Sequence, residues 1–327
     1  MPKISIIIPF FNAQNFLKRS VESCLAQSLK DIEIILVDDK SADLSLQMAK
    51  DFSALDSRVR ICENNRNLGT FLARKNGAKM ARGEFIIFLD ADDYLCENAC
   101  LILYDLAVKN RADMVHFGFK TEPFLAHSTK PKIHTKILEN DHILGEIFVK
   151  DFKKTLLSCC TRMFSANLLR HSLKKADFLD CHLSSSEDSA LFFMLCALAK
   201  KSVGTTKILY IYTQNPNSLL KSKNPITIAK QVADRAYIRD RFKENLVRFR
   251  ADKDLANNKY LVKSLQNLCD LMDYFICYSK RFLSVGDEDS RISPYIKYSL
   301  LSFKYVARWQ IAVKLAIFLL SFGRKKL

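Results

Sequence analysis

The sequence predicts an α/β fold, in which a mostly parallel sheet is flanked by helices and is followed by a C-terminal α-helical region. Three observations lead to this prediction. Short β-branched apolar runs alternate with segments of helical spacing over residues 1–118, a pattern typical of βαβ units. Several of these runs end in acidic residues. From about residue 224 onward the sequence has helical spacing and is strongly basic.

The strand and helix signals of the first part follow one another in a regular order. β-Branched apolar runs predict five strands, at residues 4–8, 33–37, 59–62, 85–89 and 113–117. Apolar residues three or four apart predict four helices, at residues 15–27, from 41 or 43 to about 55, 71–80 and 97–109. Ser41 or Asp43 is the expected N-cap of the second helix.

The middle of the chain is less regular. Residues 119–150 contain two prolines, three of the six histidines and weak periodicity, so we expect an insertion or acceptor loop there. Residues 151–220 return to mixed structure, with a strand at 208–212. We therefore divide the chain into a sheet-containing domain, residues 1–220, and a basic helical region, residues 221–327.

The basic helical region contains nearly all of the excess positive charge. Helices are predicted over residues 226–249, 255–283 and 294–322. Residues 200–327 contain 25 Lys and Arg against 10 Asp and Glu, a net of +15 out of +16 for the whole chain. The last third must therefore face an acidic partner.

Composition excludes several classes of protein. The ten cysteines form no CxxC pair and have no His partners at zinc-finger spacing, so we expect free thiols in a reducing cytosol. The chain enters a strand directly after Lys3, which is too early for a signal-peptide core. The longest apolar stretch, residues 315–323, has nine residues, far short of the roughly 18–20 of a membrane span. We expect a protein that is neither secreted by this route nor integral to a membrane.

Acidic residues follow two of the predicted strands. Asp38 and Asp39 follow the second strand, and Asp90, Asp92 and Asp93 follow the fourth. Carboxylates clustered near a core repel one another unless a cation compensates them, and hard oxygen ligands suit Mg²⁺ or Mn²⁺. The ends of strands are also where open α/β folds bind ligands. The alternative is that these side chains only cap helices or turns.

Four short motifs resemble those of the family 2 glycosyltransferases, which have the GT-A fold. In chain order they are Ile8-Pro9-Phe10-Phe11-Asn12, Val37-Asp38-Asp39-Lys40-Ser41, Asn67-Leu68-Gly69-Thr70-Phe71-Leu72-Ala73-Arg74 and Asp90-Ala91-Asp92-Asp93. The resemblance covers roughly residues 3–220. It implies inverting transfer of a sugar from a nucleotide donor with Mn²⁺ or Mg²⁺, and it makes residues 1–220 the nucleotide-sugar-binding and catalytic domain.

The same resemblance implies a role for each matching residue on the donor side. Asp39 would accept the uracil N3–H, which favours a UDP-linked donor. Asp92 would be the direct metal ligand, with Asp90 near the ribose and the metal. Phe11 stands where the family often has a Tyr, and with its neighbours Pro9 and Asn12 it would form part of the nucleotide pocket. Ala91 is the middle residue of the acidic motif, and Arg74 matches a basic residue that reaches towards the nucleotide.

An inverting reaction also needs a base for the acceptor hydroxyl. Glu187-Asp188, followed by an apolar helix, resembles the family's second acidic motif. It implies Asp188 as the base and Glu187 as an acceptor-binding neighbour. The alternative is that Ser186 and Glu187 form an ordinary helix N-terminus.

Two further segments extend the resemblance. Arg162 lies in a short segment before the second acidic motif and is a candidate phosphate contact. Thr213 stands where the family has an Arg; Lys221 or Lys223 could replace that cation, or affinity could be lower.

The tail predicts contact with an anionic membrane surface. Lys304, Arg308 and Lys314 interrupt an apolar, aromatic sequence over residues 297–327, which ends in a basic cluster. This pattern predicts an amphipathic, membrane-associating helix and a cytoplasmic protein bound peripherally to the inner face of the plasma membrane. A helix packed on the protein's own core with a solvated basic face is the alternative.

These observations also define the expected partners and the rival functions. The acceptor would be a lipid-linked surface glycan such as lipooligosaccharide, lipopolysaccharide or capsule, and no nucleic acid is expected because the tail has no nucleic-acid-binding motif. One rival is a nucleotidyltransferase, although residues 10–13 are not a Gly-rich phosphate loop. The other rival is a catalytically silent membrane-bound scaffold.

Overall fold

A central nine-stranded sheet organises the protein, as seen in a computed structural model that describes residues 1–123, 131–215 and 222–280. In sheet order the strands are β3 (Val59–Glu63), β2 (Ile32–Asp38), β1 (Ile4–Phe10), β4 (Phe85–Phe88), β8 (Arg162–Ser165), β6 (Met114–Glu122), β9 (Lys201–Thr213) and β5 (Tyr94–Leu95), and β7 (Leu138–Glu139) pairs with β9. Their pairings make six of these nine strands run in one direction. The predicted α/β class with a mostly parallel sheet is confirmed.

The first part of the chain alternates strands and helices as predicted. The strands are β1 Ile4–Phe10, β2 Ile32–Asp38, β3 Val59–Glu63, β4 Phe85–Phe88, β5 Tyr94–Leu95 and β6 Met114–Glu122. The helices are α1 Leu17–Leu25, α2 Ser45–Leu55, α3 Thr70–Met80 and α4 Ala99–Asn110.

The second part completes the sheet and adds helices to it. The strands are β7 Leu138–Glu139, β8 Arg162–Ser165 and β9 Lys201–Thr213. The helices are α5 Asp141–Gly145, continued by a π-helical turn Glu146–Lys150, then α6 Ala166–Lys175, a 3₁₀ turn Asp177–Leu179, α7 Glu187–Leu198, α8 Pro225–Glu244, α9 Leu246–Ala251 and α10 Leu261–Lys280.

The parallel half of the sheet is built from strands that are buried throughout. Every residue of β1 and β2 is buried, which fits continuous apolar runs covered by helices on both faces. Helix α3 packs very closely on this half, because a Cβ at Gly77 would lie 2.5 Å from the Cγ2 of Ile7. The close contact fixes α3, and with it Arg74, one turn before Gly77.

Several elements differ from the sequence prediction. The short strands β5 and β7 were not predicted, β9 begins at Lys201 instead of 208, and the helix predicted over 226–249 is divided into α8 and α9. Strand β8 was not predicted, because only four residues form it and its antiparallel pairing with β4 and β6 supplies its backbone hydrogen bonds. The expected loop at 119–150 contains α5 and the π-helical turn, whose Leu144 and Phe148 are fully buried. Helix α10 begins at 261 instead of 255, since Asn258 Oδ1 accepts a hydrogen bond from Tyr260 N at 3.1 Å and competes with helix formation.

The described C-terminal helices belong to the same hydrophobic core as the sheet. Ile238, Phe249 and Leu265 are members of one continuous apolar cluster with the strands. The ring of Phe242 in α8 lies 5.3 Å from that of Phe193 in α7, edge to face. The division at residue 220 therefore does not separate two cores.

The predicted tail helix at 294–322, with its basic cluster, lies outside the described residues. Among the helices of the described ranges, none has the length and apolar character needed to cross a membrane.

Candidate active site

The carboxylate of Asp39 organises the loop that follows β3. It accepts hydrogen bonds from Asn64 Nδ2, Leu68 N and Gly69 N, each at 2.8 Å. An ionised carboxylate has about four acceptor positions, so the loop occupies most of them. The predicted contact of Asp39 with a uracil N3–H stays a prediction, and the observed function of the side chain is to hold residues 64–69.

The end of β1 lies next to Asp39. Pro9 is paired with Val37 in the parallel ladder, and Asp39 N donates to the carbonyl of Phe10 at 2.9 Å. Asn12 has a positive φ of 50°. Phe11 is 50 % exposed, so its ring has the access that stacking on a nucleotide base requires.

The loop held by Asp39 also packs against the segment that precedes α7. Gly69 has a φ of +81°, and a Cβ there would lie 2.5 Å from the carbonyl oxygen of Leu183. His182 Nε2 lies 3.0 Å from Asn67 Oδ1. These contacts join the donor-side motifs to the second acidic motif.

Arg74 lies at the centre of a group of acidic side chains, here named the Arg74 cluster: Arg74, Asp90, Glu187 and Asp188. The Arg74 side chain is 3 % exposed, and it donates to Asp90 Oδ1 at 2.8 Å and to Asp188 Oδ1. Its guanidinium also lies 3.5 Å from Glu187 Oε1. The structure thus brings the end of β4 and the start of α7 together around one cation. The predicted reach of Arg74 to the nucleotide stays a prediction.

Three carboxylates share one guanidinium in this cluster, and burial raises the pKa of two of them, Glu187 and Asp188. Burial raises the pKa of Glu187 to about 8; the charge of Asp188 adds to this effect, and Arg74 opposes it. Burial also raises the pKa of Asp188, again against the opposing effect of Arg74. A carboxylate with a raised pKa is a stronger proton acceptor, which suits Asp188 to general-base chemistry.

A partly buried loop before β8 supports Asp188. Ser158 Oγ donates to Asp188 Oδ2 at 3.1 Å. Arg162, only 3 % exposed, donates to the carbonyls of Leu156 and Ser158 and lies 3.9 Å above the ring of Phe192. All of these partners belong to the protein itself, so Arg162 holds the loop that contains Ser158. The sequence had suggested a contact between Arg162 and a phosphate instead.

Helix α8 fixes the other side of the second acidic motif. The buried Asp234 carboxylate accepts from Ser184 N at 2.9 Å and from Ser184 Oγ at 3.1 Å. Arg235 Nε donates to Ser186 Oγ at 3.3 Å. Ser186 has a φ of +65°, a conformation that a non-glycine residue adopts only when its surroundings hold it. Contacts from α8 therefore define how Glu187 enters α7.

Asp93 anchors the turn after β4 to strand β9. It is 1 % exposed and accepts hydrogen bonds from the Tyr210 hydroxyl and from Thr213 N, the latter at 2.7 Å. Burial raises the pKa of Asp93 to about 8, and the charge of Asp90 adds to the shift. The observed function of Asp93 is structural.

Asp90 and Asp92 are the candidate metal ligands. Asp92 Oδ2 accepts from Asn215 Nδ2 at 3.0 Å, and Asp92 and Ala91 are partly exposed at the end of β4. The Asp90 side chain is 37 % exposed, although it pairs with Arg74. In the described ranges, no group of three or more His, Cys, Asp or Glu side chains is placed to hold a metal ion. Mg²⁺ is commonly bound by one or two carboxylates together with substrate phosphates, and these two aspartates fit that smaller set.

Four residues of the site could not be found from the sequence: Asn64, Ser158, Tyr210 and Asp234. Each is an ordinary polar residue without characteristic spacing, and each acts by holding another side chain or a loop. The one available signal was the cluster of asparagines before Leu68, which is typical of a turn with side-chain to backbone hydrogen bonds.

Comparison with models of protein families shows which family the chain belongs to. The sequence model described as glycosyl transferase family 2 matches residues 5–173, just over half of the chain. The chain belongs to this family. The resemblance drawn from the four motifs is thus confirmed, and the match contains β1 to α3 and the acidic motif after β4.

Individual members of family 2 are similar to this chain over part of their lengths. An uncharacterized glycosyltransferase, EpsJ, from Bacillus subtilis is 32 % identical over 67 % of this chain and 63 % of its own length. A GalNAc(5)-diNAcBac-PP-undecaprenol beta-1,3-glucosyltransferase from Campylobacter jejuni is 38 % identical over 48 % of this chain and 53 % of its own. The chain therefore spans less than two thirds of either relative.

Solved structures show the same fold. S. aureus TarS 1–349 in complex with UDP-GlcNAc has a TM-score of 0.58 and 16 % identity, covering 92 % of this chain and 91 % of TarS. The mannosyltransferase PcManGT from Pyrobaculum calidifontis, in complex with GDP-Man and Mn²⁺, has a TM-score of 0.55 and 11 % identity, covering 97 % and 81 %. At these identities the likeness concerns the fold, and it confirms the GT-A architecture.

We predict that Arg74→Met lowers the free energy of unfolding by about 3 kcal/mol, because removal of the shared cation leaves buried carboxylates uncompensated. Urea denaturation measures this loss. Lys79→Met, an exposed change on the same helix, is the control and should stay within about 0.5 kcal/mol of the original protein. A loss at Arg74 no larger than that of the control would show that the cluster does not depend on the guanidinium.

Proposed function

We propose that this family 2 chain transfers a sugar with inversion from a nucleotide-sugar donor to a hydroxyl group of a lipid-linked glycan. The observation that supports this most directly is the placement of Asp188. Its partly buried carboxylate shares Arg74 with the strand-end aspartate Asp90, accepts a hydrogen bond from Ser158, and has a raised pKa. A base held at the border of a donor site is what a single displacement requires.

The reaction would proceed in one displacement. Asp188 takes the proton of the acceptor hydroxyl as that oxygen attacks the anomeric carbon. The bond from this carbon to the phosphate oxygen breaks, and the nucleoside diphosphate leaves with the electron pair and the negative charge. Glu187, whose pKa burial raises to about 8, is protonated at neutral pH in this proposal and donates a hydrogen bond to the acceptor.

The donor is proposed to be a UDP-sugar, bound along the ends of β1, β2 and β4. Pro9, Phe11 and Asn12 would form the base pocket with Asp39, whose remaining acceptor position suits the uracil N3–H. Asp92, with Asp90, would hold Mn²⁺ or Mg²⁺, which when bound neutralises charge on the departing diphosphate. The complex of TarS with UDP-GlcNAc supports a UDP-sugar donor, and the complex of PcManGT with GDP-Man and Mn²⁺ supports a metal ion.

The acceptor and the location are proposed from different observations. The undecaprenol-linked glycan in the name of the Campylobacter relative supports a lipid-linked acceptor. The basic, aromatic tail supports binding to the inner face of the plasma membrane. Lipooligosaccharide, lipopolysaccharide and capsule are acceptors of this chemical class.

The two rival functions differ from glycosyl transfer in the product that the protein releases. A nucleotidyltransferase would release pyrophosphate from a nucleoside triphosphate, while a glycosyltransferase releases UDP from a UDP-sugar. A catalytically silent scaffold would release neither. The intact Asp90, Asp92 and Asp188 support a working enzyme.

Asp188→Asn should lower turnover by about 10²–10⁴-fold, the usual contribution of a general base, and leave the Kd for UDP within about 3-fold. Release of UDP from the UDP-sugar in the presence of acceptor measures turnover, and calorimetry measures binding. The control is Asp177→Asn, which removes an exposed ion pair with Arg248. Turnover within about 3-fold of the original enzyme would exclude Asp188 as the base.

Asp92→Ala should remove the metal-dependent part of nucleotide binding. For the original protein, UDP at 100 times its Kd with Mn²⁺ adds about 2.7 kcal/mol of stability, measured as a rise in the unfolding temperature. The variant should lose most of this rise, whereas Asp105→Ala, an exposed change in α4, should keep it. A full rise in the Asp92 variant would exclude that residue as a metal ligand.

Changing Lys304, Arg308 and Lys314 together to Gln should weaken binding to vesicles that contain anionic lipids. At about 1 kcal/mol for each basic residue, the loss is about 100-fold in partitioning. Co-sedimentation measures it. Changing Lys30, Lys50 and Lys109 to Gln removes the same charge from exposed positions in the first part of the chain and should have little effect. Equal losses in both variants would contradict a membrane-binding tail.

A further inference from the structure

One arginine beside the candidate metal site has no part in the site described so far. Arg19 lies in the first turn of α1 and its side chain is 47 % exposed. Its Nη2 donates to the backbone carbonyl of Asp92 at 3.2 Å and to Thr213 Oγ1 at 2.5 Å. The guanidinium therefore lies between the turn after β4 and the end of β9.

The position of this side chain is well defined for an exposed arginine. Its guanidinium carbon lies 4.6 Å from the centre of the Tyr94 ring. Its Nη1 is 4.0 Å from the carboxylate of Glu122, which also accepts from the Tyr94 hydroxyl. A guanidinium has five N–H donors in a planar fork, and the two hydrogen bonds of Arg19 to Asp92 and Thr213 both come from Nη2. Donors therefore remain for an anion.

We propose that Arg19 binds the diphosphate of the donor. This inference rests on the proposed function, because a diphosphate shared with a metal on Asp92 must lie beside the turn that Arg19 contacts. Guanidinium groups bind phosphate oxygens through paired N–H donors. Arg74, the other cation at this turn described here, is buried and paired with carboxylates, whereas Arg19 is accessible to a ligand.

The same geometry explains why a threonine can stand at position 213, where the family has an arginine. The resemblance to the family leads one to expect an arginine at that position, and Lys221 or Lys223 was the replacement considered from the sequence. Lys221 lies outside the described residues. Arg19 instead reaches Thr213 from across the site, so a positive charge from α1 occupies the neighbourhood of residue 213. The short Thr213 side chain leaves room for it and accepts its hydrogen bond.

The test compares UDP with uridine, which has the same base and sugar without the phosphates. With Mn²⁺ present, Arg19→Ala should weaken UDP binding by about 10–100-fold, the usual effect of losing a hydrogen bond to a charged group. Uridine binding should stay within about 2-fold. Calorimetry gives the Kd for UDP, and the shift of the unfolding temperature at millimolar ligand follows uridine. Lys18→Ala, at the preceding exposed position of α1, should leave both ligands unchanged.

A second variant separates charge from structure. Arg19→Ala combined with Thr213→Arg returns a guanidinium to the same place from the opposite side and should restore UDP affinity to within about 5-fold. Equal losses for UDP and uridine, or no loss for UDP, would overturn the role of Arg19 while leaving the proposed function intact. Failure of the original protein to bind UDP with Mn²⁺ would overturn the proposed function itself, and the inference with it.

Discussion

The buried guanidinium of Arg74 is the interaction on which the candidate site depends. It joins three elements that are far apart in sequence: α3, the end of β4 and the start of α7. Burying a charge is costly unless partners compensate it, and bringing three carboxylates together is costly without a cation. Each cost is offset by the other, so the arginine and the acids are stable inside the protein only as a group.

This arrangement has a consequence for how donor and acceptor chemistry are coupled. Arg74 contacts both Asp90, at the candidate metal end of the site, and Asp188, the proposed base. A ligand that binds the Asp90 carboxylate would weaken its interaction with Arg74 and so change the electrostatic field at Asp188. Water screens the guanidinium itself little, because the Arg74 side chain is only 3 % exposed. Under the proposed function, Asp188 would therefore respond to the state of the donor site without a large movement of the chain.

The fold class and the family could both be predicted from the sequence, because each depends on patterns formed by residues that are close together in the chain. Alternating apolar runs predict βαβ units, and Asp39, Asp90 and Asp188 follow or begin regular elements within recognisable motifs. The partners of these residues were not predictable. Ser158 and Asn64 act through tertiary contacts, which depend on how loops pack and leave no periodic signal. Strand β8 escaped prediction for the same reason, since its pairing with β4 and β6 is long-range.

Helix α8 belongs to the candidate site as much as to the core. The family match ends at residue 173, before the second acidic motif begins. The segment before Glu187 is held by Asp234 and Arg235 of α8, and α8 in turn packs on α7 through Phe242. A loop that carries a proposed base needs a fixed position, because small displacements of a catalytic group cost a large part of its effect. Helix α8 supplies that fixed position from outside residues 5–173, which the family model matches. Under the proposed function, a substitution in α8 would therefore alter acceptor chemistry while the donor motifs stay unchanged.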